Sequence, residues 1–149
     1  MKQLMNLMLV SLLTWTVSGC GRDRGARPAR AHEDGVYRGV FIDGDSIQIN
    51  VEFELRDGIV RRASFRHLRR DDQYHLEATE EPFRSVIRQY QEALDHLVGK
   101  PLERNLRDLY TPEQIVETQV DGYTAATLRS NKIISAIRDG LNRGVYSYP

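Results

Sequence analysis

Two periods divide the chain. Between Val36 and Leu68 apolar residues recur at about every second position; from Phe83 onward they recur at three and four. The clearest alternation sets Ile47, Ile49, Val51, Phe53 and Leu55 against Gln48, Asn50, Glu52 and Glu54. Successive side chains of a strand point to opposite faces, so this run predicts an antiparallel strand with one buried and one solvated face. Val36–Ile42 predicts a strand before it. Ile59–Leu68 predicts one after it, with Ile59, Ala63 and Phe65 inward and mostly arginines outward. Asp43-Gly44-Asp45 and Asp57-Gly58 separate the runs, and both residue types tolerate the positive φ of tight turns. The product is a three-stranded meander with one apolar face, which only the later helices can cover. The predicted class is α+β: an antiparallel β-meander covered on one face by helices.

The helical half starts at Pro82, preceded by Thr79, Glu80 and Glu81, which suit a helix N-terminus. Phe83, Val86, Ile87, Tyr90, Leu94, Leu97 and Val98 form its apolar stripe; Gly99 ends it and Pro101 blocks continuation. Leu102, Leu106 and Leu109 predict a shorter helix from Pro101 to about Tyr110. Thr111-Pro112-Glu113-Gln114 has the order N-cap, proline at N1 and capping-box glutamine at N3. The helix it starts is short, because Val120-Asp121-Gly122 breaks it. A last helix runs from near Tyr123 to about Asn142, with Ala126, Ser130, Ile133, Ile134, Ile137 and Leu141 inward. Asp121 and Thr124 are alternative N-caps for it.

The first 34 residues follow neither period. Lys2 precedes a mostly apolar run from Leu4 to Val17, which ends in Val17-Ser18-Gly19-Cys20. The run is short for a membrane span and has small residues at its end, the form of an export signal. Val-Ser-Gly-Cys also resembles a bacterial lipobox, in which the cysteine is lipidated and becomes the first mature residue. The alternative is an ordinary signal peptide with a chance cysteine. The lipobox reading divides the chain into a lipoprotein signal peptide (1–20), a flexible tether (21–34) carrying Arg22, Arg24, Arg27 and Arg30, and a domain (35–149). It places the protein outside the cytoplasm, anchored to a membrane through Cys20 on the periplasmic or cell-surface side. The tether arginines suit anionic headgroups or simple solvation equally.

Composition narrows the chemistry. Cys20 is the only cysteine, so its lipidation leaves no thiol for disulfides, nucleophilic catalysis, zinc ribbons or c-type haem. Formal net charge is zero in 149 residues, which does not suit a nucleic-acid binder. The four histidines, His32, His67, His75 and His96, lack metal-ligand spacing, so no metal site is expected. Arg61, Arg62, Arg66, Arg69 and Arg70 are either a docking patch for an anionic partner or a solvated, edge-protecting face. No nucleophile–base–orienter set, Gly-x-Gly-x-x-Gly or Walker A sequence is present, and no catalytic residue is assigned.

The stretch Asp121-Gly-Tyr-Thr-Ala-Ala-Thr127 offers an acid, small residues and two threonine hydroxyls at a helix entrance. Two readings fit these residues: an ordinary helix start, or a phosphate seat on unpartnered N–H groups at the positive end of the helix dipole. With Thr124 as the cap, Thr127 lies in the first turn.

Asp121-x-x-Thr124-Ala125-Ala126-Thr127 resembles the flavinylation motif of FMN-binding domains. These occur in the C subunit of sodium-translocating NADH:quinone oxidoreductase, in the G subunit of the Rnf complex and in small exported flavoproteins. Their pattern is Asp, two variable residues, Ser or Thr, usually Gly, then Ala and Thr; Ala125 stands at the usual glycine. The order of elements around the motif is similar too, over roughly Asp34 to Gly144. The resemblance implies FMN joined to Thr127 by a phosphoester, installed by a magnesium-dependent flavin transferase that recognises Asp121, Thr124, Ala125 and Ala126. It further implies electron transfer between a membrane donor and an extracytoplasmic acceptor protein, with a stand-alone enzyme less expected. The alternative is a lipoprotein interaction or sensory module that keeps the fold without flavin. Tyr90 and Tyr123 are candidate flavin contacts, each with a plain packing alternative.

Overall fold

The computed structural model describes residues 32–118 and 130–147, with the Tyr74 side chain excepted. The lipobox with Cys20, the arginines of the tether, and the motif residues Asp121, Tyr123, Thr124, Ala125, Ala126 and Thr127 lie outside the described residues.

The antiparallel meander forms as the alternation predicts. β1 (Gly35–Asp43), β2 (Ile47–Arg56) and β3 (Ile59–Arg70) are joined in sequence order, and a two-residue strand, β4 (Tyr74–His75), extends the sheet beyond β3. Asp57 and Gly58 both take positive φ, 55° and 74°, as a two-residue hairpin loop demands. The inward residues of β2, from Ile47 to Leu55, are at most 2% exposed.

β3 departs from strict period two. Its buried residues are Val60 and Leu68, with Ala63 and Phe65 packed beside them; Ile59 is only half-buried. The pairing with β2 slips twice: Glu54 faces Arg62 while Leu55 faces Val60, and Asn50 faces His67 while Val51 faces Phe65. Arg61 and Arg66 are therefore the extra residues of two bulges. Each bulge shifts the inward phase by one, so the expectation that Ile59 points inward fails.

The open face is a charge ladder. Glu52 lies between Arg38 on β1 (2.7 Å) and Arg66 on β3 (3.3 Å), and Glu54 between Arg56 (2.9 Å) and Arg62 (3.1 Å). The Arg38 hydrogen bond is the main cause that holds Glu52 below the ordinary carboxylate range, against a smaller opposing effect of burial. Arg69 meets Asp72 at 3.2 Å. Arg62, Arg66 and Arg69 thus have partners within the fold, in keeping with a solvated face.

The helices cover the other face. α1 (Phe83–Asp95) packs on β3 and β4, and α3 (Ser130–Arg143) on β1 and β2. Between them run a one-turn helix, α2 (Leu102–Asn105), and two 3-10 turns, Leu106–Tyr110 and Pro112–Gln114. Leu102, Leu106 and Leu109 are buried as expected. The capping box is not formed: the Thr111 hydroxyl donates back to the Asp108 carbonyl (3.2 Å), and a single 3-10 turn follows. Val98 lies past the end of α1 and is 38% exposed, so it leaves the predicted apolar stripe.

α3 lies unusually near β1. A Cβ at Gly39 would stand 1.8 Å from the Ala136 carbonyl oxygen and 2.6 Å from the Gly140 nitrogen. Gly39 and Gly140 therefore let helix and strand backbones meet where any side chain would separate them. α3 also closes the free edge of β1. Asp139 accepts the Val40 N–H (2.8 Å), and after the helix Tyr146 donates its N–H to the Val36 carbonyl (2.7 Å). Before β1, the Glu33 carbonyl accepts from the Tyr37 hydroxyl (2.6 Å) and Asp34 from the Asp57 N–H (2.8 Å), which ties the chain entry to the sheet.

Candidate functional site

The motif, Asp121–Thr127, lies in sequence between two described segments. The upstream segment ends at Thr118. The downstream segment begins at Ser130, the first described residue of α3.

Thr118 is held by α1. Its N–H donates to a Glu92 carboxylate oxygen (2.9 Å), the Glu117 N–H donates to that same oxygen (3.0 Å), and the Thr118 hydroxyl donates to the other. The Thr118 carbonyl accepts from the Gln89 side-chain amide (2.9 Å). Gln89 is 1% exposed, a polar side chain in the apolar layer of α1. Glutamine and glutamate three positions apart share one helix face, so both reach the same dipeptide. Burial pushes the Glu92 carboxyl up, but the Thr118 hydroxyl, the two N–H donors and the Arg88 charge outweigh it and hold the group below the ordinary carboxylate range.

Ser130 is 2% exposed, and its hydroxyl donates to the Leu109 carbonyl. Ser130 was expected on the inner face of the last helix; its tie to the 3-10 turn was not. Tyr110, beside that anchor, is 55% exposed. Tyr90, by contrast, is 1% exposed and meets Phe65 edge-on at 6.2 Å. It belongs to the core, which removes it as a flat platform for a planar cofactor.

The hydroxyls of the two flanks share one feature. Those of Thr118 and Ser130 are both turned inward as hydrogen-bond donors. Between them the sequence supplies threonine hydroxyls at Thr124 and Thr127.

Gln89 and Glu92 were missed from sequence. They are polar positions in an amphipathic helix, and nothing in the periodicity distinguishes them from the solvent face. Their partners lie 29 and 26 residues downstream. Among the described residues no group of three or more His, Cys, Asp or Glu side chains is placed to hold a metal, and no helix is long and apolar enough to cross a membrane.

The chain matches no family model, no curated protein and no solved structure at a significant score.

Proposed function

We propose that the protein is an exported, lipid-anchored flavoprotein that carries FMN on Thr127 and passes electrons between a membrane donor and an extracytoplasmic acceptor. The observation that carries this reading is the Asp121-x-x-Thr124-Ala125-Ala126-Thr127 motif, set between the anchors at Thr118 and Ser130 on an α+β meander. The fold class supports it.

In this reading the Thr127 hydroxyl attacks the flavin-side phosphorus of a flavin phosphoanhydride supplied to the transferase. A Thr127 Oγ–phosphorus bond forms, the anhydride bond breaks, and the departing nucleotide takes the bonding electrons while the hydroxyl proton passes to the transferase. By resemblance to the family motif, Asp121, Thr124, Ala125 and Ala126 are the recognition residues next to Thr127 in sequence. When bound, FMN supplies the one- and two-electron redox chemistry, and the protein supplies attachment and orientation. Covalent attachment suits an exported protein, since a dissociated cofactor is lost from that compartment. Lipidation at Cys20 keeps the domain near a membrane donor.

The second reading is a lipoprotein interaction or sensory module without flavin. Ala125 favours it, because the family usually has glycine there and an added methyl opposes positive φ.

Co-expression of the full chain with a flavin transferase separates the two. A fluorescent band on a denaturing gel, lost in Thr127→Ala, is the expected result. A dark band beside a labelled control acceptor would leave the flavin-free module standing. Fatty-acid labelling that disappears in Cys20→Ala tests the anchor.

A further inference from the structure

We infer that the outer edge of β3, with the groove between it and α1, is a docking site for a short extended segment of another protein, one in which apolar and acidic residues alternate. Such a site works with or without flavin.

The two sides of the sheet are finished differently. The edge of β1 is closed by Asp139 and Tyr146. The edge of β3 is closed only at its ends. Val60 exchanges hydrogen bonds with Gly99 and Lys100, and the Leu68 carbonyl accepts from the Leu76 N–H (2.8 Å). Between these ties the outer edge of β3 makes no backbone hydrogen bond among the described residues, because β4 pairs only with Arg69 and Arg70. An open edge is a row of donors and acceptors for another strand. The bulges at Arg61 and Arg66 leave Arg62–Phe65 in regular register, so the row suits a strand of about four residues and does not invite a longer one.

Beside that row lies a groove of about 350 Å³, lined chiefly by Ala63, Ser64, Phe65, Leu76, Leu94 and Asp95. Successive strand residues point to opposite faces, so a cavity that touches Ala63, Ser64 and Phe65 reaches the edge of the strand and not its inner face alone. The apolar lining is unfinished core. Ala63, Phe65 and Leu76 are half-buried, whereas Val51 and Phe53, which face Phe65 and Ala63 from β2, are at most 2% exposed. A strand laid along the edge sets alternate side chains over this lining and the others on the open face.

The open face at that edge is basic. Arg61 is exposed and has no ion-pair partner among the described residues. Arg62 and Arg66 keep side-chain exposures of 65% and 48% despite their pairs with Glu54 and Glu52. Opposite charges on neighbouring strands attract and like charges repel, so acidic residues suit the outward positions. A second copy offering its own β3 sets arginine against arginine, which disfavours pairing between copies. Asp95 lines the groove from α1, so the inward positions take apolar residues and reject acidic ones.

The probe is a fluorescein-labelled peptide, Glu-Leu-Glu-Val-Glu-Leu, titrated with the full chain in detergent and followed by anisotropy, with amide exchange of the chain read in parallel. Saturable binding is expected, with exchange slowed within residues 61–67. Serine in place of the apolar residues, or lysine in place of the glutamates, is expected to abolish it. Only alternate residues of a strand face a given neighbour, so N-methylation of one alternating set of peptide residues is expected to abolish binding and of the other to spare it. Arg61→Glu is expected to weaken binding on the order of fivefold, and Arg138→Glu, the same charge change at an exposed site on α3, to leave it unchanged. No binding by the wild type, binding without slowed exchange at 61–67, equal loss from both N-methylated sets, or binding retained by the lysine peptide overturns the site. Self-association of the chain that the peptide competes away overturns the choice of occupant.

Discussion

Glu92 shows how much a single side chain organises here. It accepts three hydrogen bonds from Glu117 and Thr118, and its carboxyl is held below the ordinary value of 4.5. A carboxyl with a lowered folded pKa stabilises the fold fully above its unfolded value, and that contribution is lost as pH falls through the lowered one. The protection of the Glu117 and Thr118 amides, taken relative to their intrinsic exchange rates at each pH, is therefore expected to be high at neutral pH and to fall on acidification below the ordinary carboxylate range. In Glu92→Gln that acid-dependent step should disappear; its persistence would place the titration on another group. Asp95 behaves oppositely. Partial desolvation first, and then the Glu92 charge, raise the carboxyl of this exposed residue above the ordinary value of 3.8, so its ionised form weakly opposes folding at neutral pH. It also puts a negative charge in the last turn of α1, where the helix dipole disfavours one. Asp95→Asn is expected to raise the thermal midpoint at pH 7, with the gain vanishing once Asp95 is protonated. A lower midpoint at pH 7 would contradict this. Neither carboxyl was distinguishable in the sequence from an ordinary polar position of α1, because what shifts each is a neighbour that only the fold supplies.

At the scale of elements, β2 was legible because one uninterrupted alternation covers it. β3 was legible in its middle, where Ala63 and Phe65 point inward as expected. A bulge inserts a residue without changing composition, so counting by twos from Ile59 misses Val60 before the Arg61 bulge and Leu68 after the Arg66 bulge. The corrected phase makes a sharp expectation. Leu68 is 1% exposed, and Leu68→Ala should cost about 2–5 kcal/mol in denaturant unfolding, the range for truncated core leucines. Arg66→Ala removes an exposed ion pair at 3.3 Å, and should stay within about 1 kcal/mol of the wild type. Similar costs for the two would contradict the bulged register. The capping-box sequence at Thr111 misled for a related reason. Its pattern promises a helix, but the chain turns after Gln114 to bring Glu117 and Thr118 to Glu92, and that tertiary bond set overrides the local signal.

Over the whole molecule, the two-layer α+β plan followed from the one-sided sheet, since an apolar sheet face requires helices over it. The closeness of α3 to β1 did not follow, because a glycine in a strand run reads first as a weak strand residue. Gly39→Ala would drive a methyl into the Ala136 carbonyl, and the backbone there cannot rotate away. A loss of about 3 kcal/mol or more is expected, at the upper end of overpacking costs, with the thermal midpoint falling accordingly. A neutral substitution would show that α3 can shift, and with it the Ser130 anchor. Ser130 follows Thr127 by three positions in sequence. The motif itself was legible only as a sequence resemblance, so attachment at Thr127 is the claim to measure. Peptide mass spectrometry of the full chain, co-expressed with a flavin transferase, tests it most directly. The expected result is a peptide spanning Asp121–Thr127 heavier by FMN less one water, with fragment ions that place the added mass on Thr127. An unmodified peptide from cells that modify a control acceptor, or added mass on Thr124, would contradict it.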